Sequence, residues 1–229
     1  MTVIMIEVFR ILKGKWFWLS ALFTVVTLWA GIGPDSYWLL QGSQMESAWL
    51  FQNAFTSSVN AISLPLLAAL PGAALTRKEL GSGSLRGILF RINMRKYLFS
   101  RVISLLFSSM AAQCIGAGGF ILAISFLAAE FYFPLNFLIA RVICAAVFAV
   151  VGSFGALLTR DTTCAYAIPI ALCFALTMLR ARFMIDAEFI DPLCWLSGAP
   201  DKLLFVGAVL VLLITGYIIF LCQVVRRNV

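Results

Sequence analysis

Histidine is absent from the 229-residue chain, and charged residues make up only 12% of it, about half the ~25% usual in soluble domains. Without histidine the commonest general base and a usual zinc ligand are missing, and no Ser-His or Cys-His pair can form. No GxxxxGK[ST] phosphate loop occurs, so the chain is not a nucleotide hydrolase of that type. Six cysteines are present, but Cys114, Cys144, Cys164, Cys173 and Cys222 fall in apolar stretches. Only Cys194 lies outside them, which leaves no disulfide framework within one chain. Their scattered spacing also argues against a metal cluster. No catalytic residue, metal or cofactor is expected on this chain.

What is abundant is hydrocarbon: hydrophobic residues amount to 62%, too much for a soluble globule of this size to cover with polar surface. A helix rises 1.5 Å per residue, so roughly 20 apolar residues cross a ~30 Å hydrocarbon layer. Six stretches qualify, at 16–33, 54–75, 102–128, 142–159, 163–179 and 203–222. The expected fold is an all-α polytopic membrane domain of six helices spanning 1–229, its first span uncleaved because it opens with the interfacial aromatics Trp16, Phe17 and Trp18. The fourth and fifth stretches, joined only by Arg160, Asp161 and Thr162, read either as two spans or as one broken hairpin. None of the six stretches contains Asp, Glu, Lys or Arg. Proton- and sodium-coupled carriers bind their ions through charged groups at membrane depth, and an intramembrane aspartyl protease needs paired Asp there. Both are disfavoured, so any work the protein does draws on energy from outside the bilayer.

The net charge of +7 suggests nucleic acid less than it sets topology, because basic residues gather on one set of loops. Loops 1–15, 76–101, 160–162 and 223–229 hold 13 Lys and Arg, and the other three loops hold four. Both termini are therefore expected in the cytoplasm, with 76–101 the largest cytoplasmic element and no nucleic-acid partner. In that loop Ser84 is a good helix N-cap, and Leu85, Ile88, Leu89 and Ile92 follow at i, i+3, i+4 and i+7 with Arg86 and Arg91 beside them. Such a helix suits either a groove on a cytoplasmic protein or the surface of anionic membrane lipids. Residues 2–15 place Glu7, Arg10 and Lys13 on one face and Val3, Ile4, Val8, Ile11 and Leu12 on the others, a pattern suited to the headgroup layer.

Within the second stretch, Ser57, Ser58 and Asn60 form a polar segment, and Pro65 and Pro71 interrupt the helix ladder. These polar groups avoid lipid by facing another helix or a wet cavity. Gln113 in the third stretch reads as interhelical glue. Small residues at Ala112, Gly116 and Gly119, and at Gly152 and Ala156, permit close helix contact within or between chains. The 180–202 loop mixes Phe183, Met184, Phe189, Ile190, Leu193 and Trp195 with acidic residues, as short helices touching the outer leaflet do, with breaks at Asp191-Pro192 and Gly198-Ala199-Pro200.

At Glu79, Gly83-Ser84-Leu85, Ile88-Leu89, Arg95-Lys96 and Tyr97 to Arg101 the sequence resembles the permease subunits of type-2 ATP-binding cassette exporters, which carry an acidic residue, a Gly-Ser/Thr-Leu element and an Arg/Lys pair between their second and third spans. The resemblance extends to the layout of the chain. It implies a connecting helix at 2–15 and a coupling helix that docks on a separate ATPase subunit through Glu79, Ser84, Leu85, Arg86, Ile88, Leu89, Arg91 and Ile92. It also implies that ATP and Mg bind in that partner, and that a second permease subunit, identical or homologous, shares a path touching Thr27, Ser57, Ser58, Asn60 and Tyr166. By the same resemblance the 180–202 loop is re-entrant, and the protein is an efflux permease in the bacterial cytoplasmic membrane, exporting an amphiphile such as an antimicrobial peptide, drug or lipid. The alternative from another class is a non-transporting membrane scaffold or assembly factor that binds lipid or a cytoplasmic partner through its basic loop.

Overall fold

Long runs of Leu, Ile, Val, Ala and Phe offer the backbone no hydrogen-bond partner except the i to i−4 ladder, and in hydrocarbon that ladder is compulsory. The computed structural model describes residues 2–41, 46–81, 92–128, 132–183 and 186–228, which are nearly all helical with no strand among them. In chain order the α-helices are α1 (Thr2–Leu12), α2 (Lys15–Ile32), α3 (Asp35–Leu40), α4 (Ser47–Thr56), α5 (Ser58–Ala69) and α6 (Leu75–Gly81). They continue with α7 (Met94–Leu127), α8 (Leu135–Thr159), α9 (Cys164–Phe183), α10 (Pro192–Trp195) and α11 (Pro200–Asn228). Five of them, α2, α7, α8, α9 and α11, are long and apolar enough to cross a membrane, which marks a multi-pass membrane protein.

The second apolar stretch departs from a single helix. It starts earlier than expected, at Ser47, and breaks at Ser57, whose extended backbone (φ −62°, ψ 147°) ends α4 and caps α5 by accepting a bond from the Asn60 amide. The ladder is interrupted at Pro65 as expected, but the helix continues through it. Pro65 lies inside α5, and the Ala61 carbonyl it leaves without a ladder partner receives the Cys173 thiol at 3.8 Å. The chain turns away after Ala69, just ahead of Pro71.

Helix α8 sits centrally, packed on α5, α7, α9 and α11. Its most apolar stretch is 67% buried, against 11% for α11, because Ala145, Ala146, Ala149, Gly152, Gly155 and Ala156 let neighbours approach from every side. A Cβ on Gly152 would lie 2.3 Å from the Ala165 carbonyl oxygen, the same carbonyl that Pro169 deprives of its ladder partner. A Cβ on Gly116 of α7 would lie 2.5 Å from the Thr24 Cβ on α2. Both small-residue patches thus pack within the chain. Fourth and fifth stretches form two separate helices joined through Arg160 in the left-handed conformation (φ 58°), whose carbonyl accepts from Arg77 Nε at 2.9 Å.

Several helices begin before their expected starts, and two of the extensions bring in a buried arginine. Helix α7 begins at Met94 rather than 102 and includes Arg101; α8 begins at Leu135 rather than 142 and includes Arg141. The premise that these helices are free of ionisable groups is therefore corrected. Both arginines are buried and bonded inside the protein, so neither side chain meets lipid.

Candidate functional site

At the end of the bundle that carries α1, four charged side chains and a tyrosine meet. Glu7 and Arg10 stand one turn apart on α1, Glu79 is near the end of α6, and Tyr97 and Arg101 are in the first two turns of α7. Arg101 Nη1 lies 2.9 Å from Glu7 Oε2, and its Nη2 lies 3.4 Å from Glu79 Oε1. Arg10 Nη1 donates to Glu79 Oε1 at 3.0 Å and stands 3.8 Å from Glu7 Oε1. The Tyr97 hydroxyl donates to Glu79 Oε2 at 3.0 Å. Two carboxylates and two guanidinia balance, and this lets Glu79 and Arg101 stay 5% and 3% exposed. Isolated, either charge would be costly to bury.

The cluster ties three elements together: α1, the segment that leads into the basic loop, and the helix that leaves it. Besides these ion pairs, helix α1 packs through Ile11 against Phe17 and Ala112. Its Met5, Ile6 and Phe9 are more than half exposed, an arc suited to the acyl boundary of a bilayer.

Of the residues assigned to docking, Ser84, Leu85, Arg86, Ile88, Leu89 and Arg91 lie outside the described residues. Ile92 is half-buried in the bend before α7, where Asn93 caps the helix by accepting from the Arg95 amide at 3.1 Å. Glu79 faces inward, into the ion cluster. Tyr97 and Arg101 are the partners that sequence reasoning did not assign to it. Their signal was present in the charged letters immediately preceding a long charge-free run.

The residues assigned to a path are divided. Ser58 is exposed and lines an apolar groove of about 580 Å³ between α5 and α9, with Ala61, Ile62, Cys173, Phe174 and Thr177. Ser57 caps α5, and Asn60 turns into the bundle. The Thr27 hydroxyl donates to the Thr24 carbonyl of its own helix. Tyr166 packs against a separate cluster containing Ala69, Leu157 and Tyr217. The geometry thus brings Ser57, Ser58 and Asn60 together at the helix break and leaves Thr27 and Tyr166 elsewhere.

Behind that break runs a buried polar chain that includes Gln113, in the bonding role expected for it. Arg141 Nε donates to Gln113 Oε1 at 3.0 Å and Nη1 donates to Asn60 Oδ1. Asn60 Nδ2 in turn donates to the Phe55 carbonyl at 2.7 Å. The Thr24 hydroxyl donates to the same Gln113 oxygen at 3.0 Å, Gln113 Nε2 to Ser20 Oγ at 3.4 Å, and Ser20 Oγ to the Leu67 carbonyl at 2.7 Å. Helices α2, α5, α7 and α8 are linked by it.

At the opposite end, the 180–202 loop folds onto the bundle. Asp191 accepts from Arg180 at 2.6 Å and caps α10 through the Leu193 amide, while Trp195 stacks on Phe148 and donates to the Phe189 carbonyl. The Lys202 hydrogen bond holds the Glu188 carboxyl below the ordinary carboxylate range. Burial, aided by the Asp191 charge, pushes the Cys194 thiol above its ordinary value. Among the described residues no group of three or more His, Cys, Asp or Glu side chains is placed to hold a metal ion. Compared with known proteins, the sequence matches no family model and no curated relative.

Proposed function

We propose that the chain is the permease subunit of an ATP-binding cassette exporter in the bacterial cytoplasmic membrane. It pairs with a second permease subunit to form the path, and a separate ATPase that binds ATP and Mg drives outward movement of an amphiphilic substrate. The single observation that carries the reading is the ion cluster of Glu7, Arg10, Glu79 and Arg101, in which Glu79 and Arg101 are buried. It joins an amphipathic helix to the root of the basic loop and to the start of a membrane helix, so force applied beneath the membrane reaches the bundle through matched charges. The buried arginines do not alter the energetic argument, because a guanidinium keeps its proton and relays none. Six crossings, with α4 and α5 together as the second, put both termini on the ATPase side.

Replacing Leu85 and Leu89 with Asp tests the reading. The expected outcome is loss of the co-purifying ATPase and of substrate-stimulated ATP hydrolysis, with membrane insertion unchanged. Retention of the complex at wild-type level refutes the assigned docking helix. A reporter at residue 90 is expected in the cytoplasm and one at residue 190 outside.

A further inference from the structure

The groove between α5 and α9 opens outward: Ile62 and Phe174 line it and are each 60% exposed. Its volume of about 580 Å³ falls within the ~300–1,000 Å³ of ligand pockets. The lining carries no charged side chain, and the Thr177 hydroxyl within it is engaged with Asp191 at 3.2 Å. Such a lining suits hydrocarbon and little else. From Ala167 to Met178 the groove follows α9 for about 16 Å at 1.5 Å per residue, the depth of one leaflet of a ~30 Å hydrocarbon layer.

Ala167, Ala171, Phe174 and Met178 recur at helical spacing, and Arg182, four residues beyond Met178, continues that face. Side chains on a helix lean toward its N-terminus, so residue 182 stands over the end of the groove. Arg182 is exposed and makes no ion pair among the described residues. The cations near it are already matched: Arg180 pairs with Asp191 at 2.6 Å and Lys202 with Glu188 at 2.8 Å. Asp186 and Asp201 line a separate polar hollow with Lys202.

We propose that this groove seats an acyl chain of an anionic phospholipid whose headgroup phosphate is held by Arg182. A guanidinium offers a phosphate two parallel donors. A zwitterionic lipid carries its own cation beside the phosphate and competes poorly for the same donors. An arginine that only snorkels to the interface would make no such distinction. The inference needs the membrane alone and holds whether or not the chain is an exporter.

The test places a reporter on the groove by Phe174→Trp in the full chain, reconstituted into phosphatidylcholine vesicles containing bromine-labelled phosphatidylglycerol or bromine-labelled phosphatidylcholine. Quenching is read from the emission that the substitution adds to that of the six native tryptophans. Phosphatidylglycerol is expected to bind there about two- to fivefold more tightly, the contribution of one partly exposed ion pair. Arg182→Gln in the same background brings the two lipids to parity, and Ala171→Phe, which fills the groove, lowers quenching by both. Equal binding of the two lipids before Arg182 is changed overturns the proposal, as does a preference undiminished in Arg182→Gln. Absence of quenching by either lipid also overturns it and would put a protein partner over the groove.

Discussion

Replacing Glu79 with Ala removes the carboxylate that three donors share: Arg10 at 3.0 Å, Tyr97 at 3.0 Å and Arg101 at 3.4 Å. Removing one partner of a buried ion pair costs about 3–5 kcal/mol. Glu7 still faces Arg101 at 2.9 Å, so the lower end applies, about 3 kcal/mol. Arg10 is different: its side chain is 53% exposed, and a pair screened to that degree is worth about 0.5–1 kcal/mol. For a chain of this size 1 kcal/mol moves the midpoint by about 2–4 °C, so Glu79→Ala is expected to lower it by about 6–12 °C and Arg10→Ala by less than about 4 °C. Glu79→Gln, which can still accept the Tyr97 hydroxyl, should fall between. Intrinsic fluorescence of the six tryptophans follows the transition in detergent, all variants being heated at one scan rate. Equal losses from Arg10→Ala and Glu79→Ala would refute the claim that burial, rather than the number of contacts, sets the strength of this cluster.

Gly116→Leu is expected to destabilise by about 1–3 kcal/mol through overpacking, because a Cβ there meets Thr24 at 2.5 Å. Gly119→Leu, whose Cβ meets only Val25 at 3.6 Å, should be nearly neutral, and the two are compared by thermal midpoint. The Cys194 thiol, raised by burial and the Asp191 charge, carries less thiolate at any given pH than an ordinary thiol. Its alkylation, followed by peptide mass spectrometry, should therefore be slower at pH 8 and reach its plateau at higher pH than that of a small free thiol; a plateau at or below the ordinary thiol range counts against the burial seen here.

The helical class and the apolar stretches were legible because hydrocarbon length and backbone satisfaction leave few alternatives. Their ends were not. Charge marks a span boundary only when the charged group has no partner inside, and Arg101 and Arg141 both find partners from helices distant in sequence. Pro65 marked an interrupted ladder, but not that the helix runs on past it, because the Ala61 carbonyl it frees is met by a cysteine 112 residues away. Ser57 broke the helix instead, by capping it, which a serine inside an apolar run does not announce. At the candidate site, the basic loop was visible as charge and periodicity. The inward turn of Glu79 was not, because it depends on where Arg101 and Tyr97 arrive in three dimensions.

The slight burial of α11 has a mechanical consequence. A narrow seam of Val206, Tyr217, Leu221 and Val225 holds it to the rest of the protein, while Leu204, Val211 and Leu212 are more than 60% exposed. The helix has 29 residues, and its apolar stretch 203–222 is about 30 Å long, matched to a hydrocarbon layer of about 30 Å, so a thinner membrane leaves it mismatched. Hydrophobic mismatch is relieved mainly by tilting, and the helix with the fewest lateral restraints tilts first. Membrane thickness and acyl-chain composition will therefore act on this protein chiefly through its last helix, pivoting on the Tyr217 hydroxyl where it meets Ser153.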